Sequence, residues 1–342
     1  MKNQPLDRKD FLRIVAAAGV AGLTGKLAWD ASRVPALVQE TRLLMGTIVN
    51  LTVIGEDQQF AQSAVDSCFT RMKQLEALLS RYQPQSQLSR LNRTGEISSP
   101  SRALVEIIQQ SRIISTASGG KFDITVKPLL DLYQQHQQEH MELPSQAALE
   151  ETLALVDYRQ ISLDENRISL AQKGMALTLD GIAKGYIVDA GVDTLNEHGF
   201  GNVLVEAGGD LGAFGQKGPD RPWQIGIRSP REDKEIHLPT LVVHNRSLAT
   251  SGDYLHSFTP DHSQHHILDP QRGVSSPELA SVSVLAPSAL QADGYATAVM
   301  VMGLEEGRSM IERLPEVEAL MITKNLESQE TTGFETFHAQ AA

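Results

Sequence analysis

Four short apolar segments that follow one another without strict strand–helix alternation most constrain the fold of this chain. Each is bounded by Gly, Pro or Asn, as is typical of strands joined by turns: Asn202–Ala207, Trp223–Arg228, Pro239–His244 and Ser281–Leu285. Apolar residues recur at helical spacing elsewhere and predict helices over Gln58–Leu79, Ser101–Ser118, Ile182–His198 and, capped by Ser288, to about Met302. Clustered strands of this kind favour an α+β fold over a doubly wound parallel sheet.

The remaining segments complete this prediction. Thr41–Ile54 alternates apolar and polar residues and is predicted to be a strand, as are Ile161–Leu170 and Gly174–Leu179. Ser80–Pro100 is rich in Ser, Asn and Pro and is predicted to be a loop, and Gln134–Ala148 is predicted to be a polar insertion.

The charge and the cysteine count exclude several classes of protein. A net charge of −12 disfavours nucleic acid as a partner, because binding a phosphate backbone relies on clustered Lys and Arg. An acidic protein that handles a phosphate-rich ligand needs a metal ion or local donors to offset the repulsion. Cys68 is the single cysteine, so no internal disulfide can form, and its apolar surroundings predict an inert core thiol.

The N-terminal segment has the pattern of an export signal. Arg8-Lys9 precedes a short apolar run, Ile14–Leu23, and about 20 apolar residues are needed to span a bilayer, so a transmembrane helix is the weaker interpretation. The pattern is similar to a twin-arginine signal, and a simple N-terminal helix is the alternative. We expect a leader over residues 1–39, a domain over 40–335 and a tail over 336–342. The domain would then work in the periplasm or on the outer face of the cytoplasmic membrane, with membrane association only through the leader.

Asp293 and Thr297 are four residues apart in the last predicted helix, so their oxygens lie on one face, one turn apart. Mg²⁺ prefers oxygen ligands and takes one or two protein carboxylates together with substrate phosphates. The alternative is a solvated Asp beside a Thr that bonds its own backbone.

Two other segments place glycines beside charged groups. Around Gly181–Lys184, backbone donors and the lysine could bind a diphosphate, but an ordinary turn between a strand and a helix explains the pattern equally well. Gly208-Gly209-Asp210 permits either close approach of the backbone to a ligand or a plain tight turn.

His266 lies close to an Asp-Pro turn and could act as a base near neutral pH. A surface histidine is the alternative, and His262, His265 and His266 in one loop leave a zinc site possible.

Eight segments that carry these features run in a fixed order along the chain: Met45-Gly46-Thr47, Ser80–Asn92, Gly120–Leu129, Ile182–Tyr186, Gly208-Gly209-Asp210, Thr250–Tyr254, His266–Pro270 and Ala292–Thr297. In content and order they resemble the ApbE-like FAD:protein FMN transferases. The resemblance implies an α+β fold of the T-fold type, FAD as the flavin donor, Mg²⁺, and a Thr or Ser hydroxyl of an acceptor flavoprotein, such as a subunit of a membrane-bound redox complex.

The resemblance also implies roles for individual residues. FAD would be contacted by Met45, Tyr82, Lys121, Phe122, Asp123, Thr178, Lys184 and Ile267. Asp293, Thr297 and the carbonyl of Gly181 would hold Mg²⁺, and His266 would be the general base. Many relatives have Asp at the position of Thr178, where this chain has its carboxylate at Asp180. If residues 178 and 180 face the same side of a strand, Asp180 can substitute.

The expected reaction is attack of the acceptor hydroxyl on the FMN-side phosphorus of FAD, which forms a phosphoester and releases AMP. A Mg²⁺-dependent FAD pyrophosphatase would use the same residues with water as the acceptor. A non-catalytic FAD-binding protein is the third possibility.

Overall fold

The computed structural model describes residues 36–340 except 140–142, 165, 232, 233 and 235. In chain order the strands are β1 (Ala36–Leu44), β2 (Thr47–Gly55), β3 (Glu96–Ser98), β4 (Ile161–Leu163), β5 (Arg167–Leu170), β6 (Val203–Ala207), β7 (Asp210–Phe214), β8 (Trp223–Gly226), β9 (Thr240–Val243), β10 (Arg246–Gly252), β11 (Leu279–Ala286), β12 (Glu318–Thr323) and β13 (Ser328–Glu330). The helices are α1 (Gln58–Leu79), α2 (Gln87–Thr94), α3 (Arg102–Ala117), α4 (Lys127–Glu139), α5 (Gln146–Leu153), α6 (Ala183–Glu197), α7 (Ala289–Met302) and α8 (Leu304–Ile311).

An eight-stranded sheet in the order β1-β2-β6-β7-β10-β11-β12-β13 forms the centre of the fold. Every neighbouring pair in it is antiparallel. The helices α1, α6 and α7 pack on one face of this sheet, and the β8–β9 pair with Phe334 contributes to a second apolar cluster that includes Leu211, Leu248 and Leu320. The prediction of an α+β fold with antiparallel sheets is confirmed.

The four predicted helices are present, and side-chain caps explain where three of them begin. Asp57 accepts a hydrogen bond from the backbone N–H of Phe60 at the start of α1, and Ser101 and Ser288 cap α3 and α7 in the same way. Each cap pairs a backbone donor that the first helical turn leaves unsatisfied.

The predicted strand over Thr41–Ile54 is wrong as a single element. It is a hairpin, because Met45 (φ 53°) and Gly46 (φ 70°) both adopt the left-handed conformation that two-residue hairpin turns require. The same error applies to Ile161–Leu170, which contains the paired strands β4 and β5.

The predicted strand over Gly174–Leu179 is absent; this segment is irregular up to the turn that precedes α6. The predicted loop over Ser80–Pro100 contains α2 and β3. Ser86 caps α2 by accepting the backbone N–H of Ser89, and Gly95 ends it in the left-handed region. The predicted insertion over Gln134–Ala148 contains the end of α4 and the start of α5.

The export pattern at residues 1–35 lies outside the described residues, and the leader remains a prediction. Strand β1 begins at Ala36 and pairs with β2, so residues 36–39 of the predicted leader lie in the sheet. In the part of the chain that the structure describes, no helix has the length and apolarity needed to cross a bilayer. Cys68 is fully buried, and burial raises the pKa of its thiol to about 12, which agrees with the prediction of a core thiol.

Candidate active site

Helices α6 and α7 approach each other closely at Gly185. A side chain at this position would overlap the carbonyl oxygen of Ala289, so only glycine permits this packing. The backbone N–H of Gly185 donates a hydrogen bond to Oδ2 of Asp293, 3.0 Å away. Asp293 is 5% exposed, which excludes the alternative of a solvated surface carboxylate.

The structure brings the three predicted metal ligands together. A Cβ atom on Gly181 would lie 2.9 Å from Oγ1 of Thr297, so the turn before α6 lies directly against this side chain. Thr297 lies one turn from Asp293 on α7, and its hydroxyl is 3.1 Å from Oγ of Ser251 on β10.

Two carboxylates and one ammonium group share this buried region. Asp210, the first residue of β7, is 1% exposed and its Oδ2 lies 2.9 Å from Nζ of Lys184. Burial, followed by the negative charge of Asp210, raises the pKa of Asp293 to about 8. Burial alone would lower the pKa of Lys184, but the carboxylates of Asp210 and Asp293 outweigh it and raise that pKa. The lysine therefore stays charged, and the region carries an excess of negative charge when both carboxylates are ionised.

This donor set fits Mg²⁺. The available ligands are a carboxylate, a hydroxyl and a backbone carbonyl, all of them oxygens. Among the described residues, no three His, Cys, Asp or Glu side chains are grouped so that they could hold a metal ion, so the histidines of the 262–266 loop do not form the zinc site considered above. The uncompensated buried carboxylate supplies the electrostatic reason for a cation.

Tyr82 lies in the segment that follows α1 and is 70% exposed. The guanidinium carbon of Arg81 is 4.4 Å from the centre of its ring, and Oδ2 of Asp180 is 2.6 Å from Nε of Arg81. Because Asp180 precedes Gly181, these contacts connect Tyr82 to the predicted metal ligands.

The Lys121–Asp123 segment is held largely by contacts within the protein. Lys121 forms an ion pair with Asp269, with 2.8 Å between Nζ and Oδ2. Asp123 accepts hydrogen bonds from the backbone and hydroxyl of Thr125 and from the backbone N–H of Tyr158. The side chain of Phe122 is buried in the main core. The segment can therefore offer its backbone to a ligand more readily than these side chains.

Met45 and Ile267 are the two aliphatic residues that the resemblance places around FAD. The backbone N–H of Met45 donates to Oε1 of Glu76, 3.1 Å away. Thr47, which lies in the same hairpin as Met45, packs against Gly208. Ile267 is 6% exposed and belongs to the main core. The β1–β2 turn therefore abuts the glycine pair before Asp210, and Gly208-Gly209 is the turn of the β6–β7 hairpin.

Thr178 and Asp180 do not lie on one face of a strand, so the geometric reason for expecting Asp180 to substitute at position 178 does not hold, and the substitution itself stays a prediction. Thr178 is buried and its hydroxyl accepts the backbone N–H of Asp180, whereas the side chain of Asp180 is 38% exposed. The reason is that this segment is not a strand, so strict alternation does not apply to it.

His266 is held by the loop that carries His256. Its backbone N–H and its Nδ1 lie 3.0 Å and 3.2 Å from the carbonyl oxygen of His256. A carbonyl can only accept, so Nδ1 carries the proton and Nε2 has a free lone pair. Burial, followed by the neighbouring His256 and His265, lowers the pKa of His266 to about 3, which keeps the ring neutral at physiological pH.

Comparison with known proteins identifies the class to which this fold and site belong. Residues 45–321 match the ApbE family. The FAD:protein FMN transferase of Treponema pallidum (strain Nichols) is 31% identical over 301 residues, which cover 82% of this chain and 83% of that protein. The FAD:protein FMN transferase of Klebsiella pneumoniae (strain 342) is 30% identical over 289 residues, which cover 83% and 88%.

Solved structures agree with this result. The flavin transferase ApbE from Vibrio cholerae superposes with a TM-score of 0.77 at 27% identity over 89% of this chain and 99% of that one. The ApbE protein from Thermotoga maritima gives 0.79 at 26% identity over 89% and 100%. The chain belongs to the ApbE family of flavin transferases, and the predicted resemblance and the prediction of an enzyme are confirmed.

Several residues of the site were given no role by the sequence. Asp210 was recognised only as part of a glycine motif, although it is the buried partner of Lys184. Arg81, Ser251 and His256 also contact predicted site residues and had no assigned role. The sequence signal at Asp210 was limited to the glycine motif, because its partner Lys184 is distant in the sequence.

Proposed function

We propose that this protein transfers FMN from FAD to a Thr or Ser hydroxyl of an acceptor flavoprotein, in a Mg²⁺-dependent reaction that forms a phosphoester and releases AMP. The observation that carries the proposal is the grouping of two buried carboxylates, Asp210 and Asp293, around the single ammonium of Lys184. The names of the relatives, FAD:protein FMN transferase, support the donor and the class of acceptor.

Transfer at a diphosphate chiefly requires positioning and neutralisation of charge. Asp293, Thr297 and the carbonyl of Gly181 would hold Mg²⁺, which when bound offsets the negative charge of the diphosphate. Lys184 contributes a second positive charge, and Asp210 fixes the position of its ammonium group. The hydroxyl of Ser251 contacts Thr297 and restricts its rotation.

The acceptor hydroxyl must lose a proton as it attacks. Its oxygen forms a bond to the FMN-side phosphorus, the anhydride bond breaks, and AMP leaves with the electron pair. Nε2 of His266 is the base in this proposal, because Nδ1–H is committed to the carbonyl of His256. With its pKa lowered, His266 is unprotonated at neutral pH and the lone pair of Nε2 is available, and general-base catalysis is typically worth about 10²–10⁴-fold when the pKa of the base lies near the operating pH.

The proposed location rests on the leader predicted over residues 1–39, and the proposed acceptor rests on the family resemblance. If the chain is exported, its acceptors are flavoprotein domains on the outer side of the cytoplasmic membrane, such as subunits of a membrane-bound redox complex.

The test is to incubate the protein with FAD, Mg²⁺ and a periplasmic flavoprotein domain, and to look for flavin fluorescence on the acceptor in a denaturing gel. We expect a fluorescent acceptor band that requires Mg²⁺ and is strongly reduced in His266→Ala, with His244→Ala as a control at an exposed histidine of the β9–β10 turn. Free FMN and AMP without a labelled acceptor would instead identify an FAD pyrophosphatase. FAD that stays intact would identify a non-catalytic binding protein.

A further inference from the structure

We propose that Asp180 is a positioning residue for FAD: it holds Arg81 in place and thereby fixes the ring of Tyr82 as a stacking surface at the active site. This inference rests on the proposed function, because it assumes FAD as the planar ligand. It concerns the carboxylate of Asp180, which is more exposed than the neighbouring Thr178.

The contacts among the three side chains form a closed network. Arg81 donates from Nε to Oδ2 of Asp180 at 2.6 Å and from Nη2 to the hydroxyl oxygen of Tyr82 at 2.7 Å. The Tyr82 hydroxyl in turn donates to Oδ2 of Asp180 at 3.3 Å. The guanidinium also lies over the ring, 4.4 Å from its centre. Both the tip and one face of the tyrosine are therefore fixed.

The three side chains differ in their exposure to solvent. The side chain of Arg81 is 8% exposed, and that of Asp180 is 38% exposed. A guanidinium that is nearly buried needs an anion, and removing that anion leaves an uncompensated charge. Tyr82, in contrast, is 70% exposed. A large aromatic ring that is held rigidly at the surface loses little conformational entropy when a planar ring stacks on it.

The network also connects two parts of the site. Arg81 and Tyr82 follow α1, whereas Asp180 immediately precedes Gly181, whose carbonyl is a proposed Mg²⁺ ligand. After burial and the neighbouring histidines, the charge of Arg81 contributes to the lowered pKa of His266, which places Arg81 within electrostatic range of the proposed base. The Arg81–Asp180 ion pair therefore holds the ring of Tyr82 close to the segment that contains Gly181, the proposed Mg²⁺ ligand.

The experiment compares FAD affinity with turnover. Asp180→Asn should raise the Kd for FAD, measured from the change in flavin fluorescence, by about tenfold, which corresponds to one charge-assisted hydrogen bond. The kcat for flavin transfer at saturating FAD should change by at most about twofold, because the reacting groups are untouched. Glu312→Gln removes a carboxylate that pairs with Arg308 on α8 and should leave both quantities unchanged.

A double-mutant cycle separates positioning from general loss of structure. Arg81→Gln should weaken FAD binding by a similar factor, and the variant with both substitutions should bind no worse than either single variant, because the two residues act as one unit. The double variant leaves no unpaired charge, so it keeps the test valid if Asp180→Asn unfolds. Tyr82→Phe retains the ring and should lose less affinity than Tyr82→Ala.

Unchanged FAD affinity in Asp180→Asn, or losses that multiply in the double variant, would overturn the inference. A lower kcat with an unchanged Kd would also overturn it, since that is the result of a smaller folded fraction. FAD binding is measured without an acceptor, so a wild-type protein that binds FAD but labels no acceptor would refute the proposed function alone. A wild-type protein that does not bind FAD would refute both.

Discussion

Replacing Asp293 with Asn should stabilise the metal-free protein while it abolishes FMN transfer. Burial and the charge of Asp210 raise the pKa of Asp293 from 3.8 to about 8. The folded state therefore holds this proton more tightly than the unfolded chain does, and the stability gained in this way is full at acid pH and is lost as the pH rises towards the folded pKa. Near neutral pH, a carboxyl perturbed to this degree destabilises the fold by roughly 4 kcal/mol relative to a group that does not titrate.

Asparagine keeps an acceptor for the backbone N–H of Gly185 and does not titrate, but burial of its amide NH₂ offsets part of this difference, so we expect a net gain of about 2 kcal/mol in the free energy of unfolding. The assay is urea unfolding in a chelator, followed by the same measurement with Mg²⁺ and by the transfer assay. Mg²⁺ should stabilise the wild type and leave the variant unchanged. Asp131→Asn, which removes the partner of Lys127 on the surface of α4, should change stability by less than about 0.5 kcal/mol. A variant that is less stable than the wild type in the chelator, or that still transfers FMN, would refute this reasoning.

Three further predictions address other parts of the structure. Gly181→Ala should lower transfer roughly tenfold or more with FAD binding retained, because its Cβ would lie 2.9 Å from Oγ1 of Thr297 and displace that ligand; normal transfer would contradict the placement. Burial lowers the pKa of His265 to about 4, so the stability present above the unfolded pKa should fall by roughly 3 kcal/mol as the pH drops towards 4. Urea unfolding across this range should show a flatter pH dependence for His265→Gln, and an unchanged slope would exclude His265 as the cause. Changing Arg8 and Lys9 to Gln should block export without affecting the purified enzyme, and cell fractionation that finds the double variant still exported would contradict the predicted signal.

The helices were predictable because local signals agreed with tertiary packing. For α1, the helical spacing of apolar residues and the cap at Asp57 both lie in the sequence, and for α7 Ser288 has the same role. The core strand β11 was predicted over Ser281–Leu285, which lies within its observed range, and all eight of its residues are buried.

The elements that were missed depend on contacts that local patterns do not show. Strand β10 contains Ser, Thr and Gly, and it is buried because β7 and β11 flank it on either side. The hairpin at Met45-Gly46 was hidden because a non-glycine residue takes the left-handed conformation there. Thr178 and Asp180 were assigned to one face through a strand that does not form.

The candidate site was predictable to the extent that it lies on single helices. Asp293 and Thr297 follow from helix geometry alone. The pairs Lys184–Asp210, Arg81–Asp180 and Lys121–Asp269 join residues that are distant in the sequence, and only the folded chain shows them. These long-range pairs decide which charges are compensated, so the electrostatic argument for a cation required the structure.

The most direct test of the central claim is the stoichiometry of one reaction. The protein is incubated with FAD, Mg²⁺ and an acceptor flavoprotein domain, and the AMP released is compared with the flavin that remains on the acceptor after denaturation. We expect equal molar amounts of AMP and protein-bound flavin, with no reaction in a chelator or in the Asp293→Asn variant. AMP accompanied by free FMN, with an unlabelled acceptor, would contradict the assignment of the acceptor hydroxyl as the attacking group.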